Sequence, residues 1–405
     1  MRVSVVDPSA YTPPYDHALC RALGIAGAEV ELVTSRFAYG PVATPEHYVR
    51  RELFYRAALG APGGGVRMAC KLLQHVPDML RYRHHARAAD VVHFQWLAVQ
   101  HLDGHLLPAR RSKDGVRRPL VLTAHDVLPR EPRPGQLAAQ RRLYDRFDAI
   151  VVHSEHGRAR LVEELGVDGE RVHAIPHGVF THLAEGAEGA EGPMGVPVGA
   201  GVASTETGAT RARGAPHFES DRPVVLMFGL MRPYKGIDVL LDAWHGAGPG
   251  DTPIEEAELW IAGMPKMDIS ALEAVASANV RFDSHFVTDD ELPAYFERAD
   301  LVVLPYLQAD QSGVLFTALA FGKPLLLSDV GGFPEIAATG AARIVSAGDA
   351  RALGHALREL LADTSALAEM GARARATADG HYSWEAVGRA HVDLYERLLQ
   401  EPPRR

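Results

Sequence analysis

Residues 224–244 read VVLMFGLMRPYKGIDVLLDAW, and their pattern decides the fold. The run VVLMF is apolar at both parities, the mark of a strand buried on both faces. A short loop with Gly229, Arg232 and Lys235 follows, and then Ile237, Leu240, Leu241 and Trp244 recur at helical spacing. Strand, loop and helix in that order make one βα unit of a parallel sheet. Its loop lies at the carboxyl end of the strand, where open α/β sheets bind ligands, and Arg with Lys beside a helix start suits a phosphate-bearing ligand. Taken alone, such a loop is equally compatible with two solvated surface charges.

The same unit recurs on both sides of this stretch. The first half carries strand-like runs RVSVV, VELV, DVVHF, LVLT, AIVVH and VHAI, separated by polar or amphipathic segments. After VVLMF come LWIA, VRF, LVVLP, LLLS and RIV, again with helical patterns between them. Strands alternating with helices imply doubly wound parallel sheets. Between the halves, AEGAEGAEGPMGVPVGAGVASTETGATRARGAP has no periodicity and cannot bury enough surface to offset its ordering entropy. The expectation is two Rossmann-like domains, 1–180 and 222–380, facing a cleft. They are joined by a flexible linker, 181–221, and closed by a helix and tail, 381–405.

A chain of 405 residues, 47% hydrophobic and 23% charged, can bury large cores, and no apolar run reaches membrane-spanning length. The amino terminus enters a strand pattern without a secretory layout, so the cytoplasm is the expected compartment. Cys20 and Cys70 lie in no CxxC or Cys/His cluster and read as reduced thiols. The net charge of −9 hides an asymmetry: residues 1–180 hold 24 basic against 19 acidic residues, the remainder 18 against 32. The basic excess lies between Arg50 and Arg87, interspersed with Leu53, Phe54, Met68, Leu72 and Leu73. Such a stretch rests on an anionic membrane, holds an anionic acceptor, or is simply a solvated helix face.

Position alone selects the residues that reach the carboxyl edge. The loop after Asp7 has no GxGxxG, which argues against a dinucleotide dehydrogenase; it sets Tyr15 and Asp16 at a helix start. His93, His125 and His153 each stand where a strand ends, and three histidines at one edge point to a polar site. In the second half QSG precedes an apolar helical run, so the backbone amides of Ser312 and Gly313 can face a phosphate beside Arg232 and Lys235. Gly331 and Gly332 lie near the same edge. The cluster Asp289, Asp290 and Glu291 after Thr288 reads as the first turn of a helix. No metal-ligand spacing, Walker loop or nucleic-acid motif occurs, so neither metal, cofactor nor nucleic acid is expected.

Together FGLMRPYKGID, ADLVVLPY, AFGKP and SDVGGFPE, with LTAHD, VVHSE and IPHGVF in the first half, resemble the retaining glycosyltransferases of family four, which have the GT-B fold. The resemblance implies an acceptor-binding first domain and a nucleotide-sugar-binding second one. It implies that Arg232 and Lys235 hold the donor diphosphate and neutralise charge as the sugar leaves, a role a metal fills in other glycosyltransferases. Gly263 and Met264, with Ser284 and His285, would flank the nucleobase, and Gly229 would lie beside the diphosphate. His125 would sit under the transferred sugar, orienting rather than deprotonating. Many members carry a Glu-x7-Glu pair before the AxGxP turn; here those positions are Ala309 and Thr317, leaving Gln311, Ser312 and Gly313 for sugar recognition. Tyr15, Asp16, His93 and His153 are the candidate acceptor-binding residues.

The leading expectation is a retaining, metal-independent hexosyltransferase moving a hexose from a nucleoside diphosphate sugar to a carbohydrate, lipid-linked or small-molecule acceptor, with peripheral contact at the inner face of the membrane. The alternatives are a catalytically weak GT-B protein that binds nucleotide sugar or a partner, and a GT-B epimerase or phosphorylase. The absent glutamates favour the first alternative, and the presence of His125, Arg232 and Lys235 counts against it.

Overall fold

The computed structural model describes residues 1–38, 42–59, 64–111, 115–128, 135–180, 221–288 and 290–401. The expected linker lies outside them apart from its last residue, as does Asp289. The described chain forms two compact units, residues 1–177 with 384–401 and residues 178–180 with 221–383. No helix among the described residues is long and apolar enough to cross a membrane.

The first unit is a seven-stranded sheet ordered β3-β2-β1-β4-β5-β6-β7, parallel throughout. Its strands are β1 (Arg2–Asp7), β2 (Glu29–Ser35), β3 (Tyr48–Phe54), β4 (Val91–Phe94), β5 (Leu120–Thr123), β6 (Ala149–Val152) and β7 (Val172–Ala174). Helices α1 (Pro13–Ile25), α2 (Gly65–His85), α3 (Gln100–Leu106), α4 (Gln136–Tyr144) and α5 (Glu155–Glu163) connect them. Alternation along β1 explains why both faces are apolar: Val3 and Val5 join one core cluster and Val6 the other.

β3 is an addition to the six expected strands. Its Val49, Arg51 and Glu52 face solvent while Tyr48, Leu53 and Phe54 are buried, as suits an edge strand. The basic stretch is therefore divided. Arg50 and Arg51 lie on β3, Leu53 and Phe54 lie in the core, and the rest follows on α2, whose first half exposes Val66, Met68, Leu72 and Leu73.

The second unit has a six-stranded parallel sheet ordered β10-β9-β8-β11-β12-β13. These are β8 (Val224–Phe228), β9 (Glu258–Ala262), β10 (Val280–Asp283), β11 (Leu301–Leu304), β12 (Leu325–Ser328) and β13 (Ala342–Val345). Its helices are α6 (Ile237–His245), α7 (Ser270–Val275), α8 (Leu292–Arg298), α9 (Gly313–Ala320), α10 (Phe333–Ala337), α11 (Ala350–Ala362) and α12 (Thr364–Asp379). In β8, Val224 and Leu226 enter one core and Val225 and Met227 the other, so this apolar run is covered on both sides. The last helix, α13 (Trp384–Gln400), belongs to the first unit, where Val387, Leu394, Tyr395 and Leu398 pack with Tyr15, Leu19 and Leu23 of α1.

Candidate functional site

In the second unit the strand order reverses between β8 and β11, and the loops after these two strands carry the candidate donor residues. This is the crevice position of open α/β sheets. β8 ends at Phe228 and Gly229 follows it, a single 3-10 turn covers Pro233–Lys235, and α6 begins after Gly236. Gly236 has φ +66°, and a β-carbon there would stand 2.2 Å from the Pro305 carbonyl oxygen, so the β8 loop is pinned against the end of β11.

That pinning buries Lys235, whose side chain donates from Nζ to the Tyr306 hydroxyl at 2.6 Å and lies 4.5 Å from the ring centroid. The Tyr306 hydroxyl is 3.3 Å from Ser312 Oγ, the residue preceding α9. Arg232 is half-buried in the same loop, and among the described residues neither cation has a carboxylate within 4 Å. A buried ammonium whose hydrogen bond goes to a phenol is unfavourable until an anion arrives. Ser312 makes no capping hydrogen bond to α9, which leaves the helix start open to a ligand.

One and two strands away stand the remaining donor candidates. Gly263 closes β9 with φ +142°, and a β-carbon there would lie 2.1 Å from the Gly229 carbonyl oxygen. Its amide donates to Asp283 O at the end of β10, and the Met264 carbonyl accepts from Met231 N, so the three loops are knitted together. Met264 is exposed, and His285 Nε2 lies 3.9 Å from Glu291 Oε2. Gln311 is half-buried next to Ser312. Thr317, at one position of the absent glutamate pair, is buried and returns its hydroxyl to the Gly313 carbonyl. The Glu291 carboxylate accepts from the Thr288 amide and hydroxyl, the helix-start role expected for this acidic cluster.

In the first unit the histidines form a chain. His153 Nδ1 lies 3.2 Å from the Ile175 carbonyl, its Nε2 3.2 Å from His125 Nδ1, and His125 Nε2 3.2 Å from the Gln95 side-chain amide. A carbonyl only accepts, so His153 carries its proton on Nδ1 and accepts at Nε2 from His125 Nδ1–H. His125 Nε2 is then a lone pair that needs a donor. Turning the Gln95 amide nitrogen toward it supplies one, and gives a partner to a buried nitrogen that otherwise lacks it. The His125 ring stacks on Trp96 at 4.8 Å and receives the edge of Tyr15. Burial, and then the neighbouring histidines, holds His125 well below the ordinary histidine range; burial takes His153 down to about 4. The chain is neutral at pH 7.

His93 is placed elsewhere. It is fully buried, with Nδ1 2.6 Å from the Tyr395 hydroxyl of α13 and Nε2 2.8 Å from Thr123 Oγ1. Both ring nitrogens serve the core, so the expectation that His93 binds an acceptor is corrected: its side chain is taken up between α13 and Thr123 of β5. Tyr15 and Asp16 lie in the first turn of α1 and are buried. Tyr15 packs among His125, His153, His177 and Trp384. Asp7 accepts from the amides of Ser9, Tyr11 and Thr12 and fixes the loop before α1. Burial, then the Asp7 charge and hydrogen bond, pushes the Asp16 carboxyl well up, so the pair holds one proton.

Gln95, Trp96, His177 and Tyr306 also line these sites and were not legible as site residues from sequence, although each adjoins or lies within one of the family-like motifs. Among the described residues no group of three His, Cys, Asp or Glu is arranged to hold a metal.

Two family models match the chain: a glycosyl transferase 4-like domain over residues 14–178 and glycosyl transferases group 1 over residues 222–363. The chain belongs to this family of nucleotide-sugar-dependent GT-B glycosyltransferases, whose family-four members retain anomeric configuration. It is 26% identical to a D-inositol 3-phosphate glycosyltransferase of Xylanimonas cellulosilytica, over 96% of this chain and 91% of that one. Among solved structures, a sucrose-phosphate synthase from Thermosynechococcus elongatus superposes with a TM-score of 0.68 at 19% identity, covering 98% and 99% of the two chains. Anabaena HepE in complex with UDP-glucose gives 0.64 at 16%, covering 98% and 100%. These two likenesses carry the GT-B fold.

Proposed function

We propose that this glycosyltransferase moves a hexose, without a metal, from a nucleoside diphosphate sugar held by the second unit to a carbohydrate, lipid-linked or small-molecule acceptor held by the first. The observation that carries the reading is the uncompensated pair Arg232 and Lys235 at the switch point of the second sheet. Two fixed cations there stabilise the charge that grows on the departing diphosphate, which is the work a divalent ion does elsewhere. Ser312 and Gly313 present α9 to the same diphosphate, Gln311 contacts the sugar, and Gly263, Met264 and His285 flank the base. A UDP-glucose complex in a protein of the same fold supports a hexosyl donor.

His125 acts on the transferred sugar. Its Nε2 has only a long contact to Gln95, which a sugar hydroxyl can replace, and its neutral ring orients the sugar without competing with the leaving phosphate as base. Tyr15, Asp16 and His153 support it from the acceptor side. Exposed Val66, Met68, Leu72 and Leu73 on basic α2 support peripheral contact with the cytoplasmic face of a membrane. The test is a thermal-shift panel of UDP, GDP, ADP and dTDP with and without Mg2+. A shift with one nucleotide, independent of Mg2+ and lost in Lys235→Ala, is expected; no shift with any of the four refutes the donor assignment.

A further inference from the structure

We infer that the first unit contains a phosphoryl-binding site, formed by Arg36, Arg50, Arg56, Arg67 and Lys71 around Tyr55, that takes an anionic group of the acceptor. The inference rests on the reading of this unit as the acceptor side. An open cavity of about 960 Å³ is lined by Arg36, Arg50, Arg51, Arg56 and Arg67 with Phe37 and Tyr55, against a single acid, Glu52. Arg36 directly follows β2, Arg56 lies just beyond β3, and Arg67 is in the first turn of α2, so the cavity opens at the carboxyl edge of the sheet.

The five cations of the site form no ion pairs among the described residues. Among the described residues no carboxylate lies within 4 Å of Arg36, Arg50, Arg56, Arg67 or Lys71, whereas Arg51 on the same wall is paired with Glu31 at 2.6 Å. Three of the guanidinium groups are each anchored by one nitrogen to a backbone carbonyl: Arg50 to Ala43 at 2.9 Å, Arg56 to Glu52 at 2.6 Å and Arg67 to Ala58 at 3.1 Å. Such anchoring sets the direction of a guanidinium and leaves further N–H groups for a ligand. A carboxylate fills one such fork; several forks around one space match the three oxygens of a phosphoryl group.

The floor of the site is rigid for a reason outside the cavity. The Tyr55 hydroxyl is 2.8 Å from His75 Nδ1, His75 Nε2 is 2.5 Å from Asp103 Oδ1, and Asp103 Oδ2 accepts from Val99 N. The Tyr55 amide donates to Asp78, and Lys71 Nζ stands 5.0 Å from the centroid of its ring. Burial, and then Arg67, draws Lys71 below the usual lysine range, against the opposing pull of the Asp7 charge. A smaller pocket adjoins, sharing Arg50, Glu52 and Phe37, and into it face Asp16 and Ser35. Asp16 Oδ1 and Ser35 Oγ are buried there without hydrogen-bond partners, a match for a hydroxyl of the same ligand.

The experiment uses the full chain with Lys235→Ala, which weakens the reading of phosphate probes by the donor site, so that the arginine variants below report the difference. Inorganic phosphate, pyrophosphate and glucose 6-phosphate are titrated by calorimetry; cosedimentation with phosphatidylglycerol and phosphatidylcholine vesicles runs in parallel. Binding of a free phosphate probe that weakens at least tenfold in Arg56→Ala/Arg67→Ala, and is partly restored by Arg56→Lys/Arg67→Lys, establishes the site with a soluble acceptor. Pelleting with phosphatidylglycerol alone, lost in the same alanine variant and without free-phosphate binding, establishes it with a lipid-borne phosphate. Arg51→Ala, which removes an already paired charge, should change either readout less than twofold. If neither readout responds to the double alanine variant while its melting temperature matches the parent's, the site does not exist. The nucleotide panel on the otherwise unsubstituted chain reports separately on the donor reading.

Discussion

Replacing Lys235 by Met should make the ligand-free protein more stable while it loses its nucleotide. The ammonium is buried against Tyr306 and Gly229 with no carboxylate nearby among the described residues. Its hydrogen bond to Tyr306 returns about 1.5–3 kcal/mol, whereas removing an ammonium from water costs several kcal/mol. Met has a similar length, fills the same volume, and leaves the Tyr306 hydroxyl its contact with Ser312 Oγ. A net gain of about 1–2 kcal/mol follows, which for a unit of this size raises the melting temperature by about 2–8 °C. Loss of one charge-assisted contact to the diphosphate should weaken nucleotide binding by about tenfold to a hundredfold. Calorimetric melting and titration with the nucleotide from the panel measure both. A variant that is less stable by about 2 kcal/mol and still binds nucleotide normally would show that Lys235 is a structural residue and holds no phosphate.

Gly263→Ala should cost about 3 kcal/mol or more, because it combines a disfavoured φ of +142° with a β-carbon 2.1 Å from the Gly229 carbonyl; a urea midpoint within 1 kcal/mol of the parent would contradict the close approach. Asp16→Asn should stabilise the protein above about pH 5. The raised Asp16 carboxyl contributes stability that is complete below its unfolded pKa and lost as pH rises toward the folded value, and an amide donates to Asp7 without needing a proton. An unchanged gap between variant and parent from pH 4 to 8 would argue against the shared proton. The buried histidines act in the opposite sense. His153 and His391 are held down to about 4, and His93 and His125 lie well below the ordinary value, so the stability they contribute is complete above about pH 6.5 and lost as pH falls toward 4. Each gives a slope of up to about 1.4 kcal/mol per pH unit. The histidines outnumber Asp16, so urea midpoints should fall between pH 6.5 and 4.5, and a flat profile would mean that these histidines are solvated.

The parts of this fold that could be read from sequence are those determined by local pattern. Val224–Phe228 and its counterparts are apolar at both parities, and the helix starting at Ile237 has its stripe in register, so the parallel plan of both sheets was legible. β3 escaped because as an edge strand it carries Arg50, Arg51 and Glu52 in succession, which look like a charged helix surface. His93 was misread for a different reason. Being near a strand end says nothing about which face a side chain takes, and the Tyr395 hydroxyl that claims it is supplied from 302 residues away. The same long range hides the Tyr55–His75–Asp103 relay, whose members come from the end of β3, from α2 and from α3.

The return of α13 to the first unit sets the order in which the protein can be completed during its synthesis. Val387, Leu394, Tyr395 and Leu398 fill a core whose other walls, β1 and α1, leave the ribosome first. The amino-terminal unit must therefore wait, with an apolar face of its earliest helix uncovered, while the whole second sheet is made. Only the second unit is contiguous enough to finish as it emerges. In a chain that stalls before Trp384, the exposed wound would be on the half that was translated first.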